Sequence, residues 1–376
     1  MITRQFSINQ TPLYPFEQQY DINRIAFFDI ETTGFAADTT YLYLIGCAYY
    51  QDSSFYLVQW FSEGIKDEPL LLHAFFDFIK THDILIHYNG NGFDIPYLQR
   101  KCEALHLEYS FDNITSIDLY KRILPYKKIF GLKSFKLKSI ENFLNISRKD
   151  TFDGGDLIQV YSSFLGKRNF ENLWRKRNPE LSLSVPTESE EMLNQLLLHN
   201  EDDIKGLINI STIIYYTDLF EKPIHVYQAR VEGDILKIHY EISGTLPVPI
   251  TFGTDLAHLA ANQNKAVLQV RIYEGELKHF YEDYKDYYYL PAEDYAIHKS
   301  LATYVDKDYR VKAKPATCYT RKEGIFVPQY EYLITPYFKF KHQDKLSFLE
   351  VHTDFLLQEE NLELYVKGMM GWMLNK

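Results

Sequence analysis

Apolar and polar positions change period several times along the chain, and those changes divide it. Arg24 to Ile30 is an apolar run ending among carboxylates, and Tyr41 to Tyr50 and Phe55 to Trp60 are aromatic and β-branched, as strands require. Only Gln51-Asp52-Ser53-Ser54 separates the last two, so an antiparallel hairpin is expected. Leu71, Leu72, Phe75, Phe76 and Ile79 recur at helical spacing, and Ile84 to His87 reads as a short buried strand. Asn89-Gly90-Asn91-Gly92 breaks the pattern, a helix from about Phe93 to Leu105 follows, and another short strand ends at Asp118. A meander followed by alternating helices and strands predicts an α/β fold, a mixed sheet with helices on both faces.

Two helices are expected between Asp156 and Asn178, before a loop at Ser182 to Thr187. The longest helical pattern runs from Glu188 to about Tyr216, with Thr187 as N-cap and acidic residues in the first turn. After Glu221-Lys222-Pro223 the text turns β-rich and aromatic: Leu236, Ile238, Tyr240 and Ile242 alternate with polar residues, as in a half-buried strand. Leu268, Val270 and Ile272, a turn at Glu274-Gly275, then Leu277 and His279 predict a hairpin, with helical pieces near Glu293 to Val305 and Leu362 to Leu374. The expected organisation is an N-terminal arm (1–22), an α/β domain (23–217) and a C-terminal β-rich α+β domain (218–376). No internal repeat or low-complexity tract is present.

Composition narrows the setting. The sequence holds no run of 18 apolar residues, and its first residues lack the basic stretch and apolar run of a signal peptide, so a soluble, cytoplasmic protein without a membrane partner is expected. Cys47, Cys102 and Cys318 are far apart and form no CxxC pair, which argues for reduced thiols rather than a zinc site or disulfide framework. A net charge of −11 is unfavourable for a phosphate-binding surface, yet Lys121 to Lys149 carries nine basic residues against one acidic residue, Glu141. A solvated helix face is the ordinary explanation of such a run.

The candidate chemistry lies in acidic residues at element ends. Asp29 and Glu31 are two apart at the end of a strand and project from one face; two carboxylates there are costly unless they meet cations. Asp94 stands in the first turn of the helix after the Asn-Gly-Asn-Gly loop, and His199 and Asp203 are i and i+4 on the long helix. Each has a bland alternative: a pair beside a turn, a helix-start charge, an exposed helix pair. Hydrolysis of a phosphodiester by two metals calls for acidic ligands from several elements around an oriented water.

Taken in order, Phe28-Asp29-Ile30-Glu31-Thr32-Thr33-Gly34, His87-Tyr88-Asn89-Gly90-Asn91-Gly92-Phe93-Asp94 and His199-Asn200-Glu201-Asp202-Asp203 resemble the three exonuclease motifs of the DEDD superfamily. The nearest branch is that of bacterial RNase H-like proteins related to the proofreading exonuclease of family B polymerases. The resemblance implies an RNase H-like mixed sheet, with its first three strands antiparallel and the rest parallel. It implies hydrolysis of nucleic acid, usually from the 3′ end, with Asp29, Glu31, Asp94 and Asp203 holding two Mg²⁺ or Mn²⁺ ions. The third motif departs from the family: three residues separate His199 from Asp203, the tyrosine spacing with a histidine side chain. Histidine titrates near neutrality and suits a general base, whereas tyrosine would orient the water. Thr32, Thr33 and Asn89 are secondary candidates for substrate contact, with turn chemistry and a permissive loop conformation as the alternatives; Asp118 reads as structural.

With a nuclease core, the basic run becomes a candidate groove for single-stranded DNA or RNA, with Lys127, Lys128 and Lys133 as phosphate contacts interleaved with Tyr126, Phe130 and Phe135. A second basic stretch, Arg310, Lys312 and Lys314, extended by Tyr309, Tyr319, Arg321 and Lys322, is equally readable as a lysine-defended edge strand. Residues 218–376 carry no catalytic signature and offer a possible surface for a protein partner. Three readings stay open: a 3′ exonuclease acting on single strands, a structure-specific endonuclease, and a catalytically weak binding module.

Overall fold

The computed structural model describes residues 1–147, 154–177, 187–330 and 332–376. The chain forms two compact units, one of residues 1–127 and 132–214, the other of residues 128–131 and 215–376.

The first unit is built on a six-stranded sheet: β1 (Ile2–Ile8), β2 (Ile25–Thr32), β3 (Leu42–Gln51), β4 (Ser54–Phe61), β5 (Ile84–His87) and β6 (Thr115–Asp118), in the order β1-β4-β3-β2-β5-β6. β2, β3 and β4 pair antiparallel, while β5 and β6 join parallel, as the resemblance implied. The β3–β4 hairpin turns through Asp52 and Ser53, both at positive φ (48° and 65°), as a tight two-residue turn requires. Residues 2–8 are not a separate arm: Ile2 to Ile8 pair with Phe61 to Phe55 and become the sheet's edge strand. The polar ITRQFSI text hid this strand, because only one face of an edge strand needs apolar residues.

Strand alternation assigns the two sheet faces. Phe28, Ile30, Ile45, Cys47 and Trp60 point to one, where α1 (Glu68–Ile79) and α2 (Asp94–Ala104) pack through Leu72, Phe75, Phe76 and Leu98. Tyr43 and Phe61 meet Leu157, Tyr161, Phe164, Leu193 and Leu197 on the other. These come from α6 (Gly154–Arg177) and α7 (Glu188–Asn209), which follow the short helices α3 (Leu119–Ile123), α4 (Lys127–Phe130) and α5 (Leu137–Phe143). Two helices were expected where α6 runs as one, since Gly166 does not interrupt it. Thr187 caps α7 with Glu190 in a reciprocal capping box. α7 ends at Asn209 rather than Tyr216: Ile210–Ile213, three of whose four residues are β-branched, tightens into a 3₁₀ turn before α8 (Ile214–Glu221). Most of the expected Ser182–Thr187 loop, and Arg148 and Lys149 of the basic run, lie outside the described residues.

The second unit is β-rich with antiparallel sheets. β7 (Ile224–Glu232), β8 (Ile235–Gly253) and β9 (Ala257–Arg271) form one; β10 (Tyr273–Phe280), β14 (Tyr319–Gln329), β15 (Tyr337–Phe338) and β16 (Ser347–Glu350) form another; β11 (Tyr287–Leu290), β12 (Tyr295–His298) and β13 (Val311–Lys312) form a third. The expected hairpin around Glu274-Gly275 is absent. β9 pairs with β8 and β10 with β14, so the chain changes sheets at Ile272. The helical pieces expected near Glu293 to Val305 and Leu362 to Leu374 are α9 (Lys299–Ala302) and α11 (Glu359–Asn375); α10 (Thr353–Leu357) leads into α11, whose Tyr365 donates to the Pro328 carbonyl. Cys47, Cys102 and Cys318 are free and buried. Among the described residues, no helix is long and apolar enough to cross a membrane.

Candidate active site

The end of β2 sets the site. Phe28 and Ile30 turn into the α1/α2 core, so Asp29 and Glu31 face α7, half-buried at its middle. α7 returns His199 and Asp203, one turn apart, against the same spot: His199 Nε2 lies 3.5 Å from Glu31 Oε1 and 3.3 Å from Asp203 Oδ2. His199 is only 5% exposed, which removes the alternative of an exposed helix pair. Asp94, at the first turn of α2, is buried, and its Oδ1 accepts from the Ile30 N–H at 3.3 Å.

The carboxylates press on one another. Burial pushes Asp29 well above the usual carboxylate range, and Asp203, Asp94 and Glu31 push it further. Burial also raises Asp94 to about 7, with Asp118 and Asp203 adding to the rise against hydrogen bonds from backbone N–H groups. Groups so crowded bind protons or cations more tightly than isolated ones. Glu31, His199 and Asp203 each offer a ligand atom, all within 4.8 Å of one another, a donor set that fits a divalent ion.

Four supporting residues were missed in the sequence. The amide of Asn200, completely buried, donates to Asp29 Oδ2 at 3.2 Å, and its oxygen accepts from Gln59 Nε2 at 3.0 Å. Gly46 lies directly opposite Asp29 on β3, and a Cβ there would come within 2.0 Å of the Asn200 Oδ1. Tyr43, stacked on Tyr161 with centroids 4.3 Å apart, directs its hydroxyl to Glu31 Oε2 at 3.5 Å. Nothing local marks Gly46, Gln59 or Asn200, because their partnership exists only once β3, β4 and α7 pack.

The site opens into a cleft of about 560 Å³ lined by Asp29, Glu31, Thr32, Phe35, Phe93, Lys136, Lys138, His199 and Asp203. Phe35 is 91% exposed and meets Phe93 edge-on, with centroids 5.7 Å apart. Among the described residues the lysines on this cleft are Lys136 and Lys138; Lys127, Lys128 and Lys133 do not line it, and the Lys128 ammonium donates to the Leu374 carbonyl within the second unit. Run composition flagged the segment but not which of its lysines face the carboxylates.

The secondary candidates take up turn chemistry. Thr32 Oγ1 donates to the Gly34 carbonyl and Thr33 Oγ1 accepts from the Tyr41 N–H, both at 2.8 Å. Asn89 sits at φ 61°, its N–H held by Asp118. Asp118 also accepts from Asn91 and Lys121, capping α3, as a structural residue would. In the second basic stretch, Arg310 donates to the Ala302 carbonyl and lies 5.0 Å over the Tyr288 ring, while Lys322 pairs with Glu350 at 2.6 Å; β13 is a short edge strand on β11.

No curated protein matches the chain. Among solved structures it is similar to the family B DNA polymerase from the hyperthermophilic archaeon Pyrobaculum calidifontis, at 15% identity and a TM-score of 0.32, covering 70% of this chain and 35% of that one. Residues 26–215, half of the chain, match the model of the RNase_H superfamily. That span runs from β2 to the start of α8 and contains Asp29, Glu31, Asp94, His199 and Asp203, along with the strand order β3-β2-β5-β6. Such a domain suggests a nuclease with a nucleic acid substrate, and its relatives typically use divalent metals. The chain therefore belongs to the RNase_H superfamily.

Proposed function

We propose that the first unit is a metal-dependent nuclease that shortens single-stranded nucleic acid from its 3′ end by a two-metal mechanism. The observation that carries this reading is the convergence of Asp29, Glu31, Asp94 and Asp203, from three separated segments, beside one cleft. Asp29, Glu31, Asp94 and Asp203 would hold the ions, which supply Lewis-acid activation of water and phosphate. The chain's own part is positional. Asn200 fixes the Asp29 carboxylate and Tyr43 that of Glu31, and a fixed ligand set is half of a working metal site. Lys136 and Lys138 supply positive charge for phosphates, with the exposed Lys127 and Lys133 of the same run next to test. Phe35 and Phe93 give a terminal base an aromatic surface, which favours an unpaired strand because a paired base hides its face.

The test is direct: end-labelled single-stranded and duplex DNA and RNA are incubated with the full chain in Mg²⁺, Mn²⁺ or EDTA. A metal-dependent ladder shortening from the 3′ end is expected on single strands. Discrete internal cuts would replace this reading with an endonuclease, and metal-independent retention without cleavage would replace it with a binding module.

A further inference from the structure

We infer that His199 is itself a metal ligand, so that Glu31, His199 and Asp203 form a mixed nitrogen and oxygen site that selects a transition ion such as Mn²⁺ over Mg²⁺. The inference rests on the nuclease reading above and adds to it the identity of one donor and the preference that follows.

The direction of the imidazole carries it. His199 lines the cleft beside the carboxylates but is only 5% exposed, and its Nε2 is set against Glu31 Oε1 and Asp203 Oδ2, two oxygens that would share an ion with it. Bonds of about 2.1 Å place neighbouring donors of an octahedral ion roughly 3 Å apart and those of a tetrahedral ion about 3.4 Å apart. The nitrogen-to-oxygen separations of 3.3 and 3.5 Å lie close to those values, and all three donor atoms fall within 4.8 Å of one another. The two oxygens of Glu31 are divided: Oε2 lies toward the Tyr43 hydroxyl and Oε1 toward His199. His199 is carried by the middle of a capped 22-residue helix, so the donor is presented without loop ordering. Mg²⁺ prefers an all-oxygen shell and parts reluctantly with water; first-row transition ions accept imidazole nitrogen more readily, Mn²⁺ the least of them but still more than Mg²⁺. Replacing one oxygen donor by this nitrogen thus tilts the site from Mg²⁺ toward Mn²⁺.

Mn²⁺ alone, added to the full chain, serves as the probe. Pulsed electron paramagnetic resonance of the wild-type complex should show nitrogen modulation from a directly bound imidazole. His199→Gln should abolish that modulation and weaken Mn²⁺ binding about tenfold or more by calorimetry, with a smaller loss for Mg²⁺. Bound Mn²⁺ without nitrogen modulation in the wild type, a result that needs no variant to fold, overturns the inference. So does an unchanged ratio of Mn²⁺ to Mg²⁺ affinity in His199→Gln. Asp203→Asn separates the two levels: if it leaves Mn²⁺ binding intact, the nuclease site itself is misplaced; if it removes binding while the wild type lacks nitrogen modulation, only the role of His199 falls.

Discussion

Asp94 and Asp118 are hidden to the same degree, each 6% exposed, and both stand where a helix begins beside the parallel half of the sheet. Asp118 commits both oxygens to its own chain, accepting from the N–H groups of Asn89, Asn91 and Lys121 at 2.9, 3.2 and 3.1 Å. Asp94 takes the Ile30 N–H at 3.3 Å, and its carboxyl rises to about 7 chiefly through burial, with the charges of Asp118 and Asp203 adding to it. A carboxylate solvated by backbone donors stabilises the loop that surrounds it. One crowded by like charges destabilises the metal-free fold and is relieved by a proton or a cation. Residue type and burial alone do not separate the two roles; the hydrogen-bond partners do.

The sharpest way to break that contrast is to remove charge from the crowded side. Asp29→Asn combined with Glu31→Gln should reduce cleavage of a labelled strand to background while the Tm without metal holds or rises. A double variant that still cuts at the wild-type rate removes these residues from the chemistry.

On the other side, Asp118→Ala strands three backbone donors and should lower stability by about 2–4 kcal/mol in urea titration, leaving the metal-induced rise in Tm in place. Between the extremes, Asn200→Ala should weaken Mg²⁺ or Mn²⁺ binding roughly 10- to 100-fold by loosening Asp29, with only a small change in KM for substrate. If calorimetry gives the wild-type affinity, Asn200 does no more than fill space.

A pH series sharpens the comparison further. Because the folded Asp94 titrates near 7 and its ordinary value is 3.8, the fold binds an extra proton between these limits. Metal-free stability therefore falls as pH rises from about 4 to about 7, and Asp94→Asn should flatten that decline in Tm measured in EDTA. An equal slope in both proteins would mean the crowding is relieved elsewhere. The smallest effect is expected at the rim, where Lys136→Ala with Lys138→Ala should reduce the slope of log affinity against log salt for a single strand by about 1.4.

Local periodicity made the core of the site legible. A strand end put Asp29 and Glu31 on one face, and helical spacing did the same for His199 and Asp203, because both rules act within a few residues. The mixed sheet followed from a meander succeeded by alternating helices and strands. What stayed hidden depends on distant packing or on edges: the fit of Asn200 against Gly46, the choice of Lys136 and Lys138 from a longer basic run, and the polar edge strand Ile2–Ile8. The misread hairpin at Glu274-Gly275 has the same origin, since a turn-like dipeptide does not say which strand its neighbours will join.

Gly46 carries a consequence for descent. Any side chain at that position meets the Asn200 amide at 2.0 Å, so the two positions cannot drift separately. A lineage that gained alanine at 46 would have to shrink or swing the residue at 200, surrendering the hydrogen bond to Asp29, before it could keep the change. Positions 46 and 200, 154 residues apart in the chain, should therefore vary together across relatives that retain the acidic centre and vary independently in those that have lost it.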